Sequence, residues 1–298
     1  MVKLKRFKSN KSDTTGSCKY IVWTAANGLG NRMVSMASIF LYAILTDRVL
    51  LVEFRDDMVG LFCEPFPNSS WILPKDFPFS DNRKVEIYES MLKKDKENTS
   101  KKLLLPSTIG VRLNMYQHEH EFFFSCDHNQ HLLHKVPLLI ITSDQYFVPA
   151  LFMVPSFNQE LNKMFPNKDT VFHHLGRYLF LPSNDVWGPI KRFYRAYLAR
   201  ADEKIGIQIR VFHPNLTRYE TIMGQSLGGI NPLVLKKLRD NDIPDSPCMQ
   251  DFSMEPCFHI TPKLDCMEKP IDHMGTMFPY MKKCVDYKRG VKLVNDIL

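Results

Sequence analysis

Lys19 to Phe54 reads KYIVWTAANGLGNRMVSMASIFLYAILTDRVLLVEF, and its pattern changes period twice. Lys19 to Ala25 is a short run of β-branched and aromatic residues ending in small ones, which is the character of a buried strand. The turn Asn27-Gly28-Leu29-Gly30-Asn31 follows at once. From Arg32 the apolar residues Met33, Met36, Ala37, Phe40, Leu41 and Ile44 recur at helical spacing and describe one face of a helix. Arg48 to Phe54 is a second buried strand. Strand, helix and strand in about 30 residues make a βαβ unit, the opening of a parallel α/β sheet.

Downstream, Arg55 to Pro78 is rich in proline and aromatic residues and reads as ordered, irregular surface chain. Lys93 to Lys102, charged and without apolar period, is a solvated loop. Pro137 to Thr142 (PLLIIT) is a further buried strand, closing at Ser143-Asp144-Gln145-Tyr146. Helices are predicted near Phe157 to Phe165 and again after Ser183-Asn184-Asp185, where Val186, Trp187, Ile190, Phe193, Tyr194, Tyr197 and Leu198 keep a period near 3.6 behind polar capping residues. Lys204 to Phe212 (KIGIQIRVF) is the next strand. A boundary near Pro182 therefore separates a basic tail (1–18) and a first domain (19–182) from the start of a second (183–225). Residues 226–298, with Cys248, Cys257, Cys266 and Cys284 and many Pro and Met, show no alternation of strand and helix and stand apart as an atypical segment.

The 298 residues allow about two domains, and 44% hydrophobic with 24% charged residues exclude global disorder. Of the net charge of +7, Lys3, Lys5, Arg6, Lys8 and Lys11 supply +5 with no acid among the first dozen residues, so the rest of the chain carries only +2. A short basic tail is no basis for a nucleic-acid partner. No apolar run reaches the roughly 18 residues that span a bilayer, and the N-terminus has no signal-peptide core. Sequons at Asn10, Asn68, Asn98 and Asn215, with seven cysteines and no C-x-x-C pair, point instead to a secretory lumen and to an anchor missing from this chain.

Four places carry possible chemistry. A strand stopping in Gly28-x-Gly30 before a helix gathers free N–H groups at the positive helix end, suited to a phosphate; a structural tight turn is the alternative. Glu53 would suit a dinucleotide ribose, but Met33 stands at the third glycine position of that fingerprint, which argues against an NAD-dependent dehydrogenase. Arg210, near the carboxyl end of its strand, could hold a phosphate bidentately or pair with a carboxylate. Asp144 could accept from a sugar hydroxyl, act as a base, or serve as a cap. Arg177 lies in a stretch where His173 and His174 could approach a ligand, packed and hydrogen-bonded histidines being the alternative and the commoner outcome. His118 with His120, and His128, His131 and His134, lack the spacing of a metal site, and the late cysteines lack that of a zinc finger; they predict a disulfide.

GLGNRMVSMASIFLYAILTDRVLLVE, DMVGLFCEPFPNSSWILPKDFP, SDQYFVPALF, FPNKDTVFHHLGRYLF and KIGIQIRVF, in that order, resemble the plant fucosyltransferase family that includes xyloglucan galactoside 2-alpha-L-fucosyltransferase, over about Ser17 to Gln225. The resemblance implies a GT-B-like α/β fold of two Rossmann-like domains. It implies inverting transfer from GDP-fucose to a galactose-bearing cell-wall glycan, with no metal and no other cofactor. Arg210 of IRVF would bear the charge growing on the β-phosphate. Gly28, Gly30, Asn31 and Arg32 would line the donor side of the cleft from the first domain, and Asp144 would meet the acceptor hydroxyl. It further implies a type II Golgi membrane protein whose anchor precedes Met1. Only 94 residues follow Lys204, so the second domain is expected to be incomplete and the chain truncated at both ends, an inactive or glycan-binding remnant being the alternative.

Overall fold

The computed structural model describes residues 18–54, 56–66, 69–77, 86–87 (backbone only), 106–113, 126–200, 255–263, 265–267, 269–271, 278–285, 287 and 289–295. The chain divides into two compact units, residues 1–181 with 250–298, and residues 182–249. The strand expected at Lys204–Phe212 with Arg210, the loop at 93–102, His118 and His120, Cys248 and all four sequon asparagines lie outside the described residues.

The first unit is built on a five-stranded sheet in the order β2-β1-β5-β4-β3, with β1 Tyr20–Ala25, β2 Val49–Glu53, β3 Glu86–Ile87, β4 Thr108–Leu113 and β5 Leu138–Ser143. Every neighbouring pair is parallel. β1 lies between β2 and β5, with Thr24 opposite both Glu53 and Thr142, so the carboxyl ends of the three strands finish level. Alternation sorts the side chains. Ile21, Trp23, Leu50, Val52, Ile109, Val111, Leu139 and Ile141 enter the main core, while Val22 and Leu51 meet Phe77 on the opposite face. Residues 71–73 run beside β2: Val52 N–H donates to Trp71 O (2.7 Å) and Leu73 N–H to Val52 O (2.9 Å), covering that sheet edge.

Helix α1 (Leu29–Leu45) connects β1 to β2, the expected βαβ unit. Its buried face is wider than the apolar period predicts, because Arg32, Ser35 and Ser38 are buried with Met36, Ile39 and Tyr42. These polar residues are satisfied locally: Trp23 Nε1 donates to Ser35 Oγ (3.3 Å), and Ser38 Oγ accepts from Phe147 N–H (3.1 Å). Further along come α2 (Asp127–His134), α3 (Val148–Leu151), α4 (Asn158–Met164) and α5 (Val171–Leu179). The helix expected near Phe157–Phe165 is thus a 3₁₀ turn at Pro155–Phe157 followed by α4.

The C-terminal stretch corrects the sequence reading. From residue 250 onward it belongs to the first unit, so 226–298 is not one separate segment. Cys266 is bonded to Cys126, immediately before α2, and Cys257 to Cys284. The expected disulfide among the late cysteines is therefore the second; the first reaches back 140 residues. Met281, Val291 and Leu293 of an antiparallel pair, β6 (Met281–Lys283) and β7 (Val291–Leu293), join the main core together with Phe258 and Ile260. Gly290 is required here: a Cβ on it would stand 2.3 Å from Cys257 Sγ.

In the second unit, α6 (Asn184–Phe193) continues into a π-helical turn at Tyr194–Leu198. The period near 3.6 reads through both, but one extra residue widens the last turn. Ser183 begins α6 through its carbonyl, which accepts from Val186 and Trp187 N–H; no side-chain cap is recorded there.

Candidate active site at the carboxyl end of the sheet

In a parallel α/β sheet, ligands bind outside the carboxyl ends of the strands. Here that edge carries Thr24 and Ala25 of β1, Thr142 and Ser143 of β5, and the turns that follow each strand. The Thr24 and Thr142 hydroxyls bond to one another across the strands. Just above them Asp144 is buried, and both its oxygens are engaged: Asn27 Nδ2 donates to Oδ2 (2.5 Å) and Gln145 Nε2 to Oδ1 (2.6 Å). Two amides thus orient a carboxylate that still has lone pairs for a hydroxyl donor. Gln145 N–H is held by Ser143 Oγ (3.0 Å) and Phe147 N–H by Ser38 Oγ (3.1 Å), so the run Ser143–Phe147 is fixed at both Gln145 and Phe147.

Asn27 reaches Asp144 because its backbone is left-handed (φ 59°), a conformation that asparagine tolerates better than most residues. Gly28, by contrast, has φ −74° and a Cβ on Gly28 or Gly30 would meet no atom within 4 Å. The two glycines therefore serve neither a left-handed turn nor close packing. They leave the first turn of α1 uncovered: Gly28, Gly30 and Asn31 are exposed, and no side-chain cap is recorded there. Arg32 is placed differently from a cleft-lining cation. It is buried, its Nη1 lies 2.8 Å from both oxygens of Asp57, and its Nε donates to Asn27 O (2.7 Å). The guanidinium pairs with Asp57 and braces the turn that carries Asn27, a structural role the sequence reading did not assign.

Four further residues of this region were not singled out from the sequence: Asn27, Gln145, Tyr146 and Glu255. The first three sit in quoted motifs and were recoverable from them. Glu255 had no local signal. It is buried, accepts a hydrogen bond from the Tyr146 hydroxyl and another from Phe172 N–H (2.8 Å), and thereby ties the C-terminal stretch to the run after β5 and to the first turn of α5. Burial, only partly offset by those two donors, pushes its carboxyl up to about 7. Burial and the Glu255 carboxylate push the Tyr146 hydroxyl well above the ordinary tyrosine range, so the proton of that bond stays on the tyrosine.

A pH effect follows. An acid whose folded value is raised holds a proton that the unfolded chain has lost, so its contribution to stability falls as pH rises. The window runs from the ordinary carboxyl value of 4.5 to about 7. Over it the wild type is expected to lose about 3 kcal/mol relative to Glu255→Gln, which cannot ionise. Urea unfolding of both proteins between pH 4.5 and 8 measures this, and a constant difference between them across that range contradicts it.

His173 is buried in α5, and its ring packs edge-on to that of His174 (5.4 Å). Of the histidines in α2, His134 shares a hydrogen bond with Lys19 Nζ (3.0 Å). Among the described residues no three His, Cys, Asp or Glu side chains converge as metal ligands would.

Comparison with known proteins adds what geometry lacks. A family model described as xyloglucan fucosyltransferase matches residues 2–223 and again 219–267. The chain belongs to this glycosyltransferase family. A probable fucosyltransferase 9 from Arabidopsis thaliana is 37% identical over 368 residues, covering 98% of this chain and 76% of that one. A galactoside 2-alpha-L-fucosyltransferase from Pisum sativum is 33% identical, covering 98% and 72%. Among solved structures, a mutant of Arabidopsis thaliana FUT1 in complex with GDP matches with a TM-score of 0.72 and 34% identity over 95% of this chain and 84% of that one. The architecture is thus of the GT-B type. Family likeness also runs beyond Gln225, where the sequence reading stopped it, and takes in the C-terminal stretch. An alignment of 368 positions cannot be filled by 298 residues, so at least 70 family positions have no counterpart here. The two family matches overlap at 219–223.

Proposed function

We propose that this chain transfers L-fucose from GDP-fucose, with inversion, to the 2-hydroxyl of a galactosyl residue on a plant cell-wall polysaccharide, xyloglucan being the acceptor. The observation that carries the reading is the likeness to galactoside 2-alpha-L-fucosyltransferases at 33–34% identity over 98% of the chain. The oriented Asp144 supports it, as a carboxylate able to accept the proton or the hydrogen bond of an attacking sugar hydroxyl. On this reading Arg210 bears the charge that grows on the β-phosphate as fucose departs, and the uncovered N–H groups of the first turn of α1 suit an anionic group. No metal or other cofactor is needed for that charge balance. Two disulfides among the described residues support work in an oxidising lumen, and we assign the protein to the Golgi.

The skipped positions favour a second reading, in which the chain binds glycan through its first unit without transferring fucose. Calorimetric titration with GDP, beside an assay of fucose transfer to a galactosylated xyloglucan oligosaccharide, separates the two. Micromolar GDP binding with transfer is the expected result. A folded protein that binds the oligosaccharide but not GDP overturns the enzyme reading.

A further inference from the structure

The run that carries Asp144 is pinned from two sides. Toward α1, Phe147 N–H donates to Ser38 Oγ. Toward the C-terminal stretch, the Tyr146 hydroxyl donates to Glu255, 109 residues away in sequence, and the Tyr146 ring, 2% exposed, packs edge-on against Phe172 (5.6 Å). The same carboxylate takes Phe172 N–H in the first turn of α5. One buried group thus satisfies two donors from two different segments, both within the core.

We propose that Glu255 is a positioning residue for fucosyl transfer: by accepting from Tyr146 and Phe172 it fixes the Ser143–Phe147 run and so holds the Asp144 carboxylate where the acceptor hydroxyl meets it. The proposal rests on the fucosyltransferase reading of Asp144. Its physical basis is the cost of the alternative. With Glu255 truncated, a buried hydroxyl and a buried amide lose their acceptor, and each keeps the full cost of its desolvation unless the chain moves to find another partner. Asp144 lies two residues from Tyr146, so a shift that satisfies the hydroxyl displaces the carboxylate, and a misplacement of about 1 Å at a reacting centre can cost roughly a hundredfold in rate. The charged and titratable groups facing Glu255 are Tyr146 itself, Asp169 in the turn before α5 and Lys292 on β7; Lys292 has no acceptor atom, and both donors, the Tyr146 hydroxyl and Phe172 N–H, bond to Glu255 and not to Asp169.

The test compares the wild type with Glu255→Ala, Glu255→Gln and Tyr146→Phe, the last of which removes one hydroxyl and leaves the bond to Phe172 in place should the alanine variant fail to fold. Two readouts are taken: steady-state kinetics with GDP-fucose and a galactosylated xyloglucan oligosaccharide, and hydrogen exchange of the amides between Ser143 and Phe147. Expected is a 10- to 100-fold fall in kcat/KM for the acceptor in Glu255→Ala, a smaller fall in Glu255→Gln and Tyr146→Phe, and a KM for GDP-fucose within twofold of wild type in all three. Amide exchange in the run is expected to rise at least tenfold in Glu255→Ala, with that of β1 unchanged. Unchanged exchange in the run overturns the latch, and faster exchange with unchanged acceptor kinetics overturns the positioning role. A wild-type protein that transfers no fucose overturns the enzyme reading and the positioning role with it, while the exchange measurement still reads the latch by itself.

Discussion

Arg210→Ala is expected to lower kcat for fucose transfer by two to three orders of magnitude with the fold retained. The reason lies in the chemistry and not in a contact of the described residues, outside which Arg210 falls. As the bond from fucose to the β-phosphate breaks, negative charge accumulates on the departing diphosphate. A preorganised donor at that charge typically contributes about 2.7 to 4 kcal/mol to the barrier. A guanidinium supplies two parallel bonds to phosphate oxygens, so Arg210→Lys is expected to recover only part of the loss, because a point charge cannot reproduce the fork. Equal kcat in wild type and Arg210→Ala would remove Arg210 from the mechanism. A large rise in KM for GDP-fucose with kcat unchanged would reassign it to ground-state binding.

The largest stability effect is expected from Cys126→Ser combined with Cys266→Ser. This bridge joins residues 140 apart, against 27 for Cys257 and Cys284. By the loop-closure argument the longer bridge restricts the unfolded chain more, contributing about 5 kcal/mol against about 3.5 for the shorter. For a domain of this size, each kcal/mol shifts Tm by roughly 2 to 4 °C, so the double serine variant should melt at least about 10 °C lower. It is also the covalent tie between the start of α2 and the C-terminal stretch that carries β6 and β7. Thermal unfolding of both double variants without reductant checks the order. A smaller loss for the Cys126 and Cys266 pair than for the other would show that the C-terminal stretch is held by its apolar packing and not by the bridge.

How far the site was legible depends on whether each residue's role is local. Strands β1, β2 and β5 and helix α1 were readable because burial of a parallel sheet on both faces writes near-continuous β-branched runs, and a packed helix writes a 3.6 period. The position of Asp144 was readable for a similar reason: it follows a buried strand, at the carboxyl end of the sheet. Its partner Asn27 was visible as a turn residue but not as a partner, since the pairing of β1 with β5 brings together residues 117 apart. Arg32 has a partner that the sequence did not reveal. The family resemblance puts it at the cleft, and its ion pair with Asp57, 25 residues on, has no signal in the local sequence.

The amino-acid sequence by itself determined the α/β class, the first βαβ unit, the carboxyl-end placement of Asp144 and the family, because each is written in residues contiguous in the chain. Only the tertiary structure decided that Cys126 pairs with Cys266, that Arg32 is an ion-pair brace, and that Glu255 satisfies Tyr146 and Phe172. Those facts are set by which segments the sheet order and the core bring within hydrogen-bond or bonding distance. Separations of 25 to 140 residues leave no periodic trace in a sequence read from one end to the other.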